Sequence, residues 1–221
     1  IAFEASRLAG MPYTVRGQFV ELVLNGKHVG NYYLCEQIKV DENRVNIKKL
    51  KAADLGEDKI SGGYLMEMDN HLDEANCFTS AIRKLPYQFK APDEDELQPG
   101  QAAWFENYIN EMETAMYADD WLETGKYRDY IDLKSWAVRW MVSEIYGNPE
   151  DWAPRSLYVY KDRGGKLMAG PPPGRRFNTF TPPLGGASPP LPHPPHPPPT
   201  PAPPIKAHAP GKQARPKTTL T

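Results

Sequence analysis

An α+β fold is what the order of hydrophobic patterns predicts, with strands mainly early in the chain and helices later. Three observations carry that reading: an Asn-Gly step between two strand-like runs, a further apolar run opened by a Gly-Gly pair, and two later segments whose large apolar residues recur at helical spacing. All three lie in residues 1–170, the candidate domain; residues 171–221 follow a different composition.

Taken in order, Ile1, Phe3, Leu8 and Ala9 read as the end of a helix stopped by Gly10 and Pro12. Val20, Leu22 and Leu24 alternate around Glu21, and Lys27–Ile38 carries Val29, Tyr33 and Cys35. Asn25-Gly26 between them is a hairpin turn, because both central positions need positive φ. Val45-Asn46-Ile47 reads as a short strand, residues 48–59 as a polar, helix-tolerant segment, and Tyr64–Met68 as a strand. A run ends at Phe89-Lys90 before Ala91-Pro92, and the acidic stretch Asp93–Glu96 suits a helix N-terminus, where the dipole favours negative charge. Trp104, Phe105, Tyr108, Ile109, Met112 and Met116 define a helix between Ala102 and Tyr117. Asp132 caps a second helix through Leu133, Trp136, Trp140, Met141 and Ile145, which Gly147, Asn148 and Pro149 stop. Leu157–Tyr160, a turn at Lys161–Gly165 and Lys166–Ala169 close the domain as strand, turn and strand. Trp104, Trp136 and Trp140 are read as core residues, and so is Cys35 within its strand.

Of the 24 prolines, 18 fall in residues 171–221, which also hold six basic residues and no acid. The tail cannot join a sheet, since proline removes backbone donors. It is expected to be disordered or an out-of-frame translation, with a polyproline II contact to a partner domain as the other reading. The body keeps 20 basic and 28 acidic residues, a net charge of −8, which argues against nucleic-acid binding through clustered cations. No run approaches the roughly 18 apolar residues needed to span a bilayer. The chain starts at Ile1 rather than Met, so any signal peptide is expected upstream. Its two cysteines, Cys35 and Cys77, permit a disulfide without requiring one. No His/Cys set has zinc spacing, and neither a Walker loop nor a Gly-x-Ser-x-Gly elbow is present.

The segment that points to chemistry runs from Asp132 to Gly170: helix, acidic loop, strand, tight turn, strand. Asp151 and Ser156 are five positions apart in the loop, the separation at which protein kinases place a hydroxyl-orienting Asp and a metal-binding Asn. Alone, an Asp in a polar loop far more often marks a turn or a cap than a catalyst.

Five stretches add to it: "FVELVLNGKHVGNYYLCEQIKVDENRVNI", "GGYLMEMDN", "FKAPDEDE", "YIDLKSWAVRWMVSEIYGNPEDW" and "SLYVYKDRGGKLMAGP". In content and order they resemble the CotH kinase family, the spore-coat-protein-H-like atypical protein kinases. The resemblance implies a reduced kinase-like domain, here a fragment incomplete at both ends. It implies ATP, Mg²⁺ or Mn²⁺, and phosphorylation of Ser or Thr on secreted, cell-surface or spore-coat proteins. It puts Asp151 at the catalytic position with Asn148 shortly before it, and Ser156 at the second metal-ligand position. Glu36 and Lys90 match recurrent residues that would serve the nucleotide; their plainer readings are an outward strand residue and a solvated lysine. The chain departs from the family after "GKLMAGP", where a Trp-Asp-Phe-Asp-like stretch is normal and Pro172-Pro173-Gly174-Arg175-Arg176 stands instead. Arginines in place of a carboxylate invert the local charge, so the chain is expected to be inactive as it stands. The alternative is a non-catalytic surface or coat protein built on the same fold.

Overall fold

Asn25 and Gly26 adopt φ of 51° and 76°, positive values that Asn tolerates and Gly adopts freely, and close a hairpin of β1 (Gly17–Leu24) and β2 (Lys27–Cys35) behind a short first helix, α1 (Ala2–Leu8). The computed structural model describes residues 1–147 and 155–171. The chain divides into units Ile1–Leu184 and Gly185–Thr221, and every described residue belongs to the first.

The hairpin is a sheet of its own. Phe19 and Tyr33 face each other across it, and a register shift at Leu22/Val23 interrupts the ladder. Alternation there does not mean half-burial: Phe19 is 73% exposed and Leu34 60%. Cys35 is likewise exposed, correcting its reading as a core residue, because nothing among the described residues covers the ribbon there.

The core belongs to a five-stranded sheet in the order β4-β5-β3-β6-β7, antiparallel throughout. Its strands are β3 (Tyr64–Met68), β4 (Cys77–Thr79), β5 (Pro86–Ala91), β6 (Leu157–Lys161) and β7 (Leu167–Ala169). β3 is central and buried at every residue. Tyr64, Met66 and Met68 pack with Tyr87, Phe89, Phe105 and Ile109 on one face, while Leu65 packs with Tyr160, Tyr13, Val45 and Ile47 on the other. Between the hairpin and β3 the chain is mostly irregular. Val45 makes only an isolated bridge to Val40, where a strand was expected, and residues 48–59 contribute little more than the start of the single helical turn α2 (Glu57–Ile60).

α3 (Pro99–Met116) covers the first face. It starts at Pro99, not at the acidic run: residues 94–96 form a turn, and the Gln98 N–H donates to Gln101 Oε1 at 3.1 Å. A proline at the first helical position and a side chain reaching back to the N-cap outweigh the dipole preference of Asp93–Glu96. After the short α4 (Trp121–Thr124) and a 3-10 turn at Lys126–Asp129 comes α5 (Leu133–Tyr146). Asp132 Oδ1 accepts from Ser135 N at 2.7 Å at its start, and Gly147, at φ 58°, ends it. Trp136 packs on the core and donates Nε1–H to Leu167 O at 3.1 Å, whereas Trp140 is 57% exposed, against its core reading.

Candidate functional site

Period two along β3 sends Tyr64, Met66 and Met68 into the core beneath α3, and Glu67 and Asp69 to the opposite face. Both carboxylates are nonetheless buried, at 6% and 7% exposure, and each is partnered. Lys90 of β5 reaches Glu67 Oε2 at 3.3 Å and also pairs with Glu74. Gln88, two residues earlier on the same side of β5, holds Glu74 in reach: its Oε1 accepts from Asp73 N and Glu74 N at 3.0 and 2.9 Å, and its Nε2 donates to His71 O at 2.8 Å. Burial alone would lower the Lys90 pKa, but the hydrogen bond to Glu74 and the charge of Glu67 outweigh it and hold the ammonium above its ordinary value.

Met68 pairs with Leu157 at the end of the β3–β6 ladder, so Asp69 arrives beside Ser156. Ser156 donates its N–H and its hydroxyl to Asp69 Oδ2 at 2.9 and 3.1 Å, and His71 N donates to Oδ1 at 2.8 Å. Burial raises the Asp69 pKa, yet these donors more than compensate and it lies below the usual carboxylate value. Ser156, buried and at φ 56°, is thereby locked where the chain leaves residues 148–154 and enters β6.

A second tie lies alongside. α5 runs next to β7: Ala169 N donates to Ser135 Oγ at 3.1 Å, and buried Arg139 donates Nη1 to Gly170 O and Pro171 O at 3.1 and 3.2 Å. The segment between α5 and β6 and the segment after β7 are thus each anchored by a buried ionisable residue, one an acid and one a base.

The residues singled out in the sequence are placed as follows. Ser156 is the one held by Asp69. Lys90 sits between Glu67 and Glu74. Glu36, just past β2, lies apart from them along an open groove with Arg16 and Arg44. Arg16 donates Nε to both Glu36 oxygens at 3.1 and 3.0 Å, and this holds the Glu36 carboxyl below its ordinary pKa. Asp151 and Asn148 lie outside the described residues, as does the tail from Pro172. Asp69, Glu74, Gln88 and Arg139 escaped sequence reasoning. The available signal was Glu67 and Asp69 at alternate positions of an otherwise apolar strand.

Among the described residues no three His, Cys, Asp or Glu side chains come together as a metal site, and the Ser156 hydroxyl is already directed at Asp69. These donors do not by themselves fit Mg²⁺ or Mn²⁺. Nor is any helix among the described residues long and apolar enough to cross a membrane. A family model described as CotH kinase protein matches residues 4–171. No curated protein and no solved structure matches the chain.

Proposed function

The chain belongs to the CotH kinase family, and from that membership we propose that its fold is the frame of an ATP-dependent protein Ser/Thr kinase acting on secreted, cell-surface or spore-coat proteins, inactive in this form. The observation that supports the reading is the paired anchoring around the β6–β7 ribbon: Asp69 fixes Ser156, two positions past segment 148–154, and Arg139 fixes Gly170 and Pro171. In a kinase these two segments carry the hydroxyl-orienting Asp and a metal-binding Asp, and rigid support beneath both is what phosphoryl transfer needs. Asp151 is the residue proposed to accept the hydrogen bond of a substrate hydroxyl, with Asn148 beside it in sequence. ATP would supply the phosphoryl group and Mg²⁺ or Mn²⁺ the compensating charge. Arg175 and Arg176, close to where the family has acids, are the reason for inactivity.

The test restores the acidic stretch with Pro172→Trp, Pro173→Asp, Gly174→Phe and Arg175→Asp. Mn²⁺ with a non-hydrolysable ATP analogue should raise the melting temperature of this restored chain, leave the original unchanged, and lose its effect when Asp151→Ala is added. A folded restored chain that shows no shift sinks the nucleotide reading. The exposed apolar hairpin favours the second reading, a non-catalytic coat or surface protein, and that reading would then stand.

A further inference from the structure

At the Gly63 end of β3, away from Asp69 and Ser156, lies a cavity of about 210 Å³. Its floor is apolar: Leu50 is 2% exposed, and Ala91 and Pro92 continue it from the end of β5. Its charged lining comes from two separate stretches of chain. Lys39 and Lys49 belong to the irregular segment after the hairpin, Asp93 and Glu96 to the turn before α3. Among the described residues none of these four side chains forms an ion pair, although all four line one small cavity. Lys90 also lines it, but its ammonium is taken by Glu67 and Glu74.

Both stretches are pinned. Val45 N donates to Lys39 O at 3.2 Å, closing the loop that carries Lys39. Lys48 N donates to Asp162 Oδ1 at 3.0 Å and Arg163 Nη2 to Lys49 O at 3.1 Å, while Gly63, at φ +100°, lets residues 48–50 approach so closely that a Cβ there would stand 2.6 Å from Lys48 O. On the other side Glu96 N and Leu97 N both donate to Asp93 O at 3.0 Å. The backbones that carry the opposite charges are therefore fixed around an apolar floor, and the four exposed side chains form no ion pair with one another. What complements such a site is a molecule with a cation at one end, an anion at the other and an apolar body between them.

We propose that this cavity binds a small amino carboxylate, its carboxylate meeting Lys39 and Lys49 and its ammonium meeting Asp93 and Glu96. The volume corresponds to roughly seven waters, room for the body of a single small amino carboxylate. The proposal does not rest on the kinase reading: of that reading's residues Lys90 lines the cavity, and its ammonium is already taken by Glu67 and Glu74.

The test is titration calorimetry, or amide chemical-shift mapping, on the full chain with three probes of equal body: 4-aminobutyrate, butyrate and butylammonium. The zwitterion should bind saturably and more tightly than either half, by up to about fivefold, the factor expected when one partly exposed charge contact is lost. Lys39→Ala with Lys49→Ala should weaken it by a similar factor, and so should Asp93→Asn with Glu96→Gln; all four side chains are exposed, so both variants should keep the parent melting temperature. Equal binding of zwitterion and halves, no saturable binding of the zwitterion, or indifference of the two variants would each overturn the proposal.

Discussion

Asp69 is buried and satisfied by three donors, which makes it a residue whose charge can be removed without changing its shape. Asp69→Asn should cost about 1–3 kcal/mol at pH 7, the usual worth of charge-assisted hydrogen bonds. Its folded pKa lies below the ordinary value of 3.8, so the stability it gives is present above that value and is lost as pH falls through the lowered one. Denaturant midpoints of parent and variant should therefore differ at pH 7 and converge in strong acid. Lys161, a base whose folded pKa is also lowered, gives the same direction of pH dependence at the alkaline end. Buried at 3% exposure, it donates to Ser61 O and Gly165 O at 2.7 and 2.6 Å with its ammonium 4.7 Å from the Tyr108 ring centre, and burial pushes its pKa down to about 8. The unfolded chain then holds more protons than the folded one between about pH 8 and 10.5, and stability rises with pH across that window. Lys161→Met removes this rise, so the parent should gain on the variant by up to roughly 3 kcal/mol between pH 7.5 and 10.5, read from unfolding curves at both pH values.

At the level of elements, the long periodic helices and the Asn-Gly hairpin were legible because their signals are local. The helix around Trp104–Met116, the Asp132 cap and the Gly147 stop all stand where residue chemistry puts them, and Asp132→Ala should cost α5 about 1 kcal/mol, measured as a drop in unfolding free energy. What misled were segments whose state is decided by distant partners. The three-residue β4 exists only because Cys77, Phe78 and Thr79 pair with Gln88, Tyr87 and Pro86 of β5. Asp93–Glu96 looked like a helix start until Pro99 and Gln101 supplied a stronger one. Cys35 was read as a core residue from the strand pattern around it, but alternation reports a pleat, not what covers it. With Leu24 and Leu34 both 60% exposed on a two-stranded ribbon with open edges, self-association is the expected liability. Leu24→Lys with Leu34→Lys should raise the monomer fraction in light scattering with little change in melting temperature.

The whole molecule turns on long-range closure of its central sheet, and that closure explains how little of the candidate site could be read in advance. Ser156 could be picked out by its distance from Asp151 in the chain, but its acceptor Asp69 is 87 residues away, and Arg139 meets Gly170 across 31; no pattern within one element encodes either pairing. Gly62 marks the same closure by contact: a Cβ there would stand 2.1 Å from Asp162 C in the β6–β7 turn, so Gly62→Ala should cost more than about 3 kcal/mol or prevent folding. One consequence of the open ribbon reaches beyond its apolar surface. Cys35 at its end and Cys77 on the sheet edge are both unpaired and accessible, which makes each a target for maleimide or iodoacetamide in native buffer. In an oxidising solution both sulfurs would stand bare, and covalent cross-linking between chains is the chemistry to watch for on storage.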